Sequence, residues 1–178
     1  MKYAALLRGI NVGGKNMLPM KPLAEMFVSS GCSGVATYIQ SGNVAFTAPA
    51  AVAKKLPEVI SRKIADSFGY KVPVVIRAHE QLAAVIRDNP FLKAGEAEKT
   101  LYLYFLADEP AADAVSGLDP DRSPPDRFRV VGSHVFLHLP NGMGNSKLTN
   151  AWMDSKLSTV STARNWPTVL KLFEMTAP

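Results

Sequence analysis

The chain has one cysteine, Cys32, so it carries no disulfide framework and no cysteine metal site. A buried, inert thiol is the expected role, because no acid–base partner lies close to it in sequence. No apolar run approaches the ~18 residues of a membrane span. The amino-terminal stretch Met1–Arg8 has an apolar run too short for a secretion signal and reads as a strand. These absences predict a cytoplasmic protein with no membrane partner. The chain also lacks any run of five basic residues, so its net charge of +5 favours anionic partners only slightly. HExxH, CxxC and Gly-x-Ser-x-Gly are all missing. His134 and His138 share a strand face but stand about 13 Å apart at full extension, too far for one metal. No metal and no cofactor is expected, and His79 reads as a helix start.

What is present suits a globular chain. Its 178 residues are 47% hydrophobic, enough to bury a core without staples. The first half reads strand, helix, hairpin, helix, strand. Lys2–Leu7 is apolar on both faces and therefore central. Met20–Ser30 is a helix with Leu23, Ala24, Met26 and Phe27 inward, Pro19 and Pro22 at its start and Gly31 at its end. Val35–Gln40 and Asn43–Thr47 form a hairpin over Ser41-Gly42. A 3.6-period stripe runs from Leu56 to Phe68 and closes at Gly69. Pro57 costs ~3 kcal/mol in a helix interior, so the regular helix is placed from Pro57 and Ala50–Leu56 is read as a separate turn. Lys71–Arg77 is the last strand, and Glu80–Asn89 a further helix ending at Pro90.

This βαββαβ order is the split βαβ pattern of ferredoxin-like sheets. The second half echoes it: strand Thr100–Ala107, short helix Ala111–Ser116, exposed loop Asp119–Arg127, hairpin Arg129–Val131 with His134–Leu139 over Gly132-Ser133, then helices Leu148–Leu157 and Thr168–Met175. The expected architecture is α+β with antiparallel-rich sheets, a ferredoxin-like half over 1–90 and a smaller α+β half over 91–178.

In such a sheet the first two strands are parallel, with the third between them. The end of the first strand and the turn after the second then meet at one sheet edge. Arg8-Gly9-Ile10-Asn11-Val12-Gly13-Gly14-Lys15 is thereby placed beside Gln40-Ser41-Gly42-Asn43. Binding groups usually lie on loops over a rigid sheet. Glycine N–H groups beside Arg8 and Lys15 suit an anionic guest.

Gly9 to Asn16 also matches the phosphate-loop spacing GxxxxGK, but Asn16 stands where a magnesium-holding hydroxyl belongs. The apolar strand ending at Asp108 does not rescue that reading, because a mixed sheet is wrong for a nucleotide hydrolase. A second glycine-rich segment, Asn141–Thr149, precedes a helix that Asn145 or Ser146 would cap, and Lys147 would sit beside its N–H groups. The alternative is a tight connection with a capping serine. Asn165 and Pro167 suit the start of the last helix, Trp166 suits a packing anchor better than a base platform, and Arg164 faces an acid or a ligand. Tyr102 and Tyr104 lie on the Thr100–Ala107 strand, but Gly42–Phe46 supplies only one aromatic, short of the RNA-recognition signature.

Leu6–Asn16, Tyr38–Asn43, Gly144–Thr149 and Ala163–Trp166 together resemble the bacterial family catalogued as domain of unknown function 1697. The resemblance spans the whole chain apart from a nondescript middle, Lys93–Arg127. Ala163 and Pro167 depart from the Thr and Asn expected of the family. The resemblance implies an α+β fold of ferredoxin-like character and no particular activity. The leading expectation is a protein that binds a phosphate-bearing small molecule or nucleic acid. Arg8, Lys15, Lys147 and Arg164 would supply charge, Gly13 and Gly14 backbone donors, and Asn11, Gln40, Ser41 and Asn43 hydrogen bonds. The alternatives are a small enzyme acting on a phosphorylated metabolite, with no catalytic residue assigned, and a protein-interaction module. The oligomeric state does not follow from the sequence.

Overall fold

The computed structural model describes all residues, Met1–Pro178, and the chain forms two compact units. Met1–Ala83 with Leu172–Pro178 make the first, and Ala84–Lys171 the second. Each is built around a four-stranded antiparallel sheet, so the protein is α+β.

A strand apolar on both faces belongs inside a sheet. Accordingly β1 (Lys2–Leu7) pairs with β3 (Asn43–Thr47) on one side and β4 (Val74–Ala78) on the other. β2 (Ser33–Tyr38) pairs with β3 and completes the order β2-β3-β1-β4. The third strand thus lies between the first two, as expected. Tyr3, Ala5 and Leu7 point to one face and pack with residues of α1 (Met20–Val28) and α2 (Ala50–Phe68), including Leu23, Phe27, Ile60 and Ile64. Cys32 is buried in this core, and its burial raises the thiol pKa, so it is poorly suited to act as a nucleophile. The carboxy-terminal residues join this unit through His79, which stacks on Phe173 at 4.6 Å and hydrogen-bonds Thr176 at 3.1 Å.

The expected break before Pro57 does not occur. α2 runs unbroken from Ala50, and the separate turn over Ala50–Leu56 is corrected to helix. The buried residues Ala53, Leu56, Ile60 and Ile64 continue at spacings of three and four across the proline, so packing on both sides outweighs its local cost. Relieving that cost should show. Pro57→Ala is expected to stabilise by roughly 2 kcal/mol, the ~3 kcal/mol interior penalty less what proline saves in the unfolded chain. Urea unfolding measures it, and a variant no more stable than wild type would show that the helix has already relaxed around the ring.

α3 (His79–Asp88) and the short α4 (Pro90–Lys93) lead into the second unit, where Asn89 Oδ1 accepts from Phe91 N at 3.0 Å as the cap of α4. β5 (Leu101–Leu106), α5 (Ala112–Ser116), β6 (Arg127–Val131), β7 (His134–His138), α6 (Asn150–Leu157) and β8 (Ser161–Asn165) then repeat βαββαβ in sheet order β6-β7-β5-β8. α7 (Trp166–Met175) follows β8 as α3 follows β4. The repetition extends to register. Ala4 faces Arg77 across β1 and β4, and Leu103 faces Arg164 across β5 and β8. The echo read from element order is therefore a structural duplication.

Three expectations change in this unit. Residues 161–165 form a strand, whereas the sequence suggested only a helix entry; Asn165 ends that strand and also caps α7, accepting from Thr168 N at 3.0 Å. α6 is capped by Thr149 rather than Asn145 or Ser146. Asp119–Arg127 is not wholly exposed, because Ser123 and Asp126 are buried and bonded to each other at 2.7 Å. Trp166 is fully buried, a packing anchor, and its indole N–H is the buried side-chain donor left without a partner. No helix is long and apolar enough to cross a membrane.

Candidate functional site

The loop after β1 and the turn after β2 meet at one sheet edge of the first unit. Leu7 N donates to Gly42 O at 2.8 Å. Asn11 closes the junction with one side-chain amide. Its Nδ2 donates to Gln40 O at 2.7 Å and to Leu18 O at 2.9 Å, while its Oδ1 accepts from Leu18 N at 2.7 Å. Asn16 Nδ2 donates to Gly9 O at 2.9 Å, and Asn11 N to Asn16 O at 3.1 Å. Asn43 is fully buried and donates to Tyr38 O and to Ser41 Oγ. Asn11, Ser41 and Asn43 therefore shape the edge, through bonds to one another and to its backbone.

Between Asn11 and Asn16 the chain turns back on itself. Val12 and Lys15 bridge, Lys15 N donates to Val12 O at 2.9 Å, and Gly13 and Gly14 take φ of 57° and 73°. Two successive positive φ values define a two-residue hairpin, a turn that Gly-Gly adopts without a side-chain penalty. A Cβ placed on Gly13 or Gly14 would meet nothing within 4 Å. The tip is a finger in open space, and its backbone reaches out where a phosphate-loop cradle would curl inward. Of the four non-glycine residues with left-handed φ, Asn11, Asn16 and Ile39 belong to these two segments. Asn tolerates that conformation; a β-branched residue such as Ile39, at 48°, does not. Strain of this kind persists where the surroundings enforce it.

Charge gathers at the same edge. Lys15 is at the tip, Arg8 at its base, and Lys21 in the first turn of α1. Arg8 N donates to Pro73 O at 3.0 Å, which brings the Lys71 segment alongside. Lys15, Lys21 and Lys71 are exposed and enter no ion pair. Acids are scarce here: Glu25 is the only one in the first 57 residues. The first unit carries ten Lys and Arg against five Asp and Glu, the second ten against ten, so the whole net charge of +5 resides in the first.

The duplication supplies an internal comparison. The β1–α1 connection, residues 8–19, corresponds in the second unit to residues 107–111, which are short and contain Asp108 and Glu109. The common fold therefore does not require the glycine-rich cationic loop; one copy has it and the other does not.

Of the ten residues expected at a site, the structure brings Arg8, Asn11, Gly13, Gly14, Lys15, Gln40, Ser41 and Asn43 to this edge. Lys147 and Arg164 belong to the second unit. Lys147 is exposed, its backbone tied to Ser123 Oγ and Arg122 Nε at 3.0 and 3.1 Å. Arg164 is buried and bonds Thr162 Oγ1 and Ala163 O; desolvation lowers its pKa to about 10, and the equivalent Arg77 shows the same shift. Sequence reasoning missed Lys21 and Lys71, although β4 runs antiparallel to β1 and its start must lie at the end of β1. It also missed a cluster in the second unit, where Arg127 and Glu96 form an ion pair and both contact His138. Arginine only donates, so His138 Nδ1 accepts at 3.1 Å and Nε2 faces Glu96 at 3.2 Å, which fixes the neutral tautomer.

The family described as protein of unknown function DUF1697 matches residues 1–136, a span that includes both segments of this edge. The chain belongs to that family. No curated protein matches it. Among solved structures, a conserved bacterial protein, SP0830, from Streptococcus pneumoniae is similar, with a TM-score of 0.73 at 22% identity over 99% of this chain and 98% of that one. At that identity the likeness speaks for the fold.

Proposed function

We propose that this DUF1697 protein binds a phosphate-bearing ligand at the β1 edge of its first, ferredoxin-like unit, in a cytoplasmic setting. The observation that supports the reading is that the chain segments carrying Arg8, Lys15, Lys21 and Lys71 meet at this edge beside exposed glycine backbone, in a unit holding all of the net charge. Gly13, Gly14 and Gln40 would donate hydrogen bonds, with Asn11, Ser41 and Asn43 holding the frame. Lys147 and Arg164 are left out of the proposed site. The two segments contain no histidine, cysteine or carboxylate to serve as general base, so the proposed role is binding.

The test is calorimetric titration with inorganic phosphate, ATP and a short oligonucleotide. Lys15→Ala is expected to change stability by under ~0.5 kcal/mol, as for an exposed side chain, and to weaken binding about tenfold or more through loss of a charge-assisted contact. Equal affinities for variant and wild type, or no binding by either, would remove the reading.

A further inference from the structure

We infer that the phosphate groups recognised at this edge are those of an anionic phospholipid surface, contacted by the Val12–Lys15 finger; the inference rests on the phosphate reading above. The added observation is apolar. Six large hydrophobic side chains are exposed in the chain, and Val12, Met17 and Ile39, at 63%, 55% and 53%, all belong to this edge. Their backbone positions are close as well. Asn11 grips the carbonyls of Leu18 and Gln40, so Met17 and Ile39 each immediately precede a residue pinned to Asn11, and Val12 follows it.

A soluble phosphate compound has no use for three aliphatic side chains standing in water. A nucleic acid would use rings as stacking platforms, and no ring is among the exposed large hydrophobics. Aliphatic tips ringed by lysine and arginine are what a lipid interface takes. Hydrocarbon enters the headgroup boundary while the cations meet lipid phosphates. The finger projects into open space, so it can reach such a surface. The sequence argued against a membrane partner because nothing can span one, but attachment to a surface needs no span.

The experiment is cosedimentation of the full chain with two kinds of vesicle, pure phosphatidylcholine and a mixture with roughly one-quarter phosphatidylglycerol. The chain is expected to pellet with the anionic vesicles alone and to be released by high salt. Lys15→Ala should lower partitioning about fivefold. Met17→Ser and Val12→Ser should each lower it about threefold or more. Val28→Ser, a change at an exposed valine at the far end of α1, should leave it unaltered and so controls for general stickiness. Failure to pellet with anionic vesicles overturns the inference, as does binding indifferent to both Met17→Ser and Val12→Ser. Oligonucleotide affinity that grows with strand length while vesicles fail would assign the edge to nucleic acid instead. If vesicles fail and inorganic phosphate, ATP or the oligonucleotide still titrates, the lipid inference falls alone; if all of them fail, the phosphate reading falls with it.

Discussion

Gly42→Ala is expected to destabilise the protein by about 2–5 kcal/mol, the largest loss from any single methyl addition at this edge. Two independent effects act together. Gly42 has φ of 81°, where an L side chain costs ~1–2 kcal/mol. Its new Cβ would also lie 2.7 Å from Leu7 Cβ and 3.0 Å from Ile10 Cδ1. Both neighbours are buried, and a Cβ cannot swing aside without moving its strand. Overpacking of this sort costs ~1–3 kcal/mol. Urea unfolding should show a lower midpoint at unchanged slope. Gly13→Ala is the matched comparison, because it carries the same backbone penalty but meets no atom within 4 Å. A Gly42→Ala loss no larger than that of Gly13→Ala would mean that the two segments are not packed as tightly as Leu7 and Ile10 imply.

Gly42 also shows why this part of the fold was legible in the sequence. Strand, helix and hairpin each announced themselves by a change of apolar period, and the double-sided apolar character of Lys2–Leu7 placed it centrally. Once the order βαββαβ was read, the meeting of Gly9–Lys15 with Gln40–Asn43 followed from strand direction alone. Pro57 was misread because local propensity is weak beside a continuous buried stripe. Ser161–Asn165 was missed because Asn165 has two jobs, and its role as a helix cap masked the strand before it. The finger itself was hidden for a different reason. Glycines reveal that a loop is permissive, yet whether it curls around a ligand or projects away depends on the pin that anchors it, and Asn11 finds its farthest partner 29 residues away at Gln40. No local pattern encodes such a bond.

That pin is the second place where a small change should have a large effect. Asn11 makes two donations and one acceptance, all to backbone, and does so with φ of 54°. Asn11→Ala removes all three bonds and adds a left-handed alanine, which should cost about 2–3 kcal/mol. Asn11→Asp keeps the shape and the acceptance from Leu18 N, but it turns a carboxylate oxygen toward the carbonyls of Leu18 and Gln40. At neutral pH it should cost about as much as alanine or more, ~2–4 kcal/mol. The two variants part company with pH. Carbonyl oxygens facing the new carboxyl disfavour its ionised form, so its pKa in the folded protein lies above its unfolded value. The folded state then binds more protons than the unfolded one, and the aspartate variant gains stability relative to wild type as pH falls through the folded pKa. The alanine deficit has no such dependence. Unfolding measured at about pH 7 and about pH 4 should therefore show the aspartate deficit shrinking and the alanine deficit holding. Hydrogen exchange at Leu18 should quicken in the alanine variant, whose amide has lost its acceptor. The phosphate binding proposed for the edge should weaken in both, although Asn11 spends its side chain on the frame. An alanine variant as stable as wild type, with Leu18 still protected, would show that the finger holds its shape without the pin.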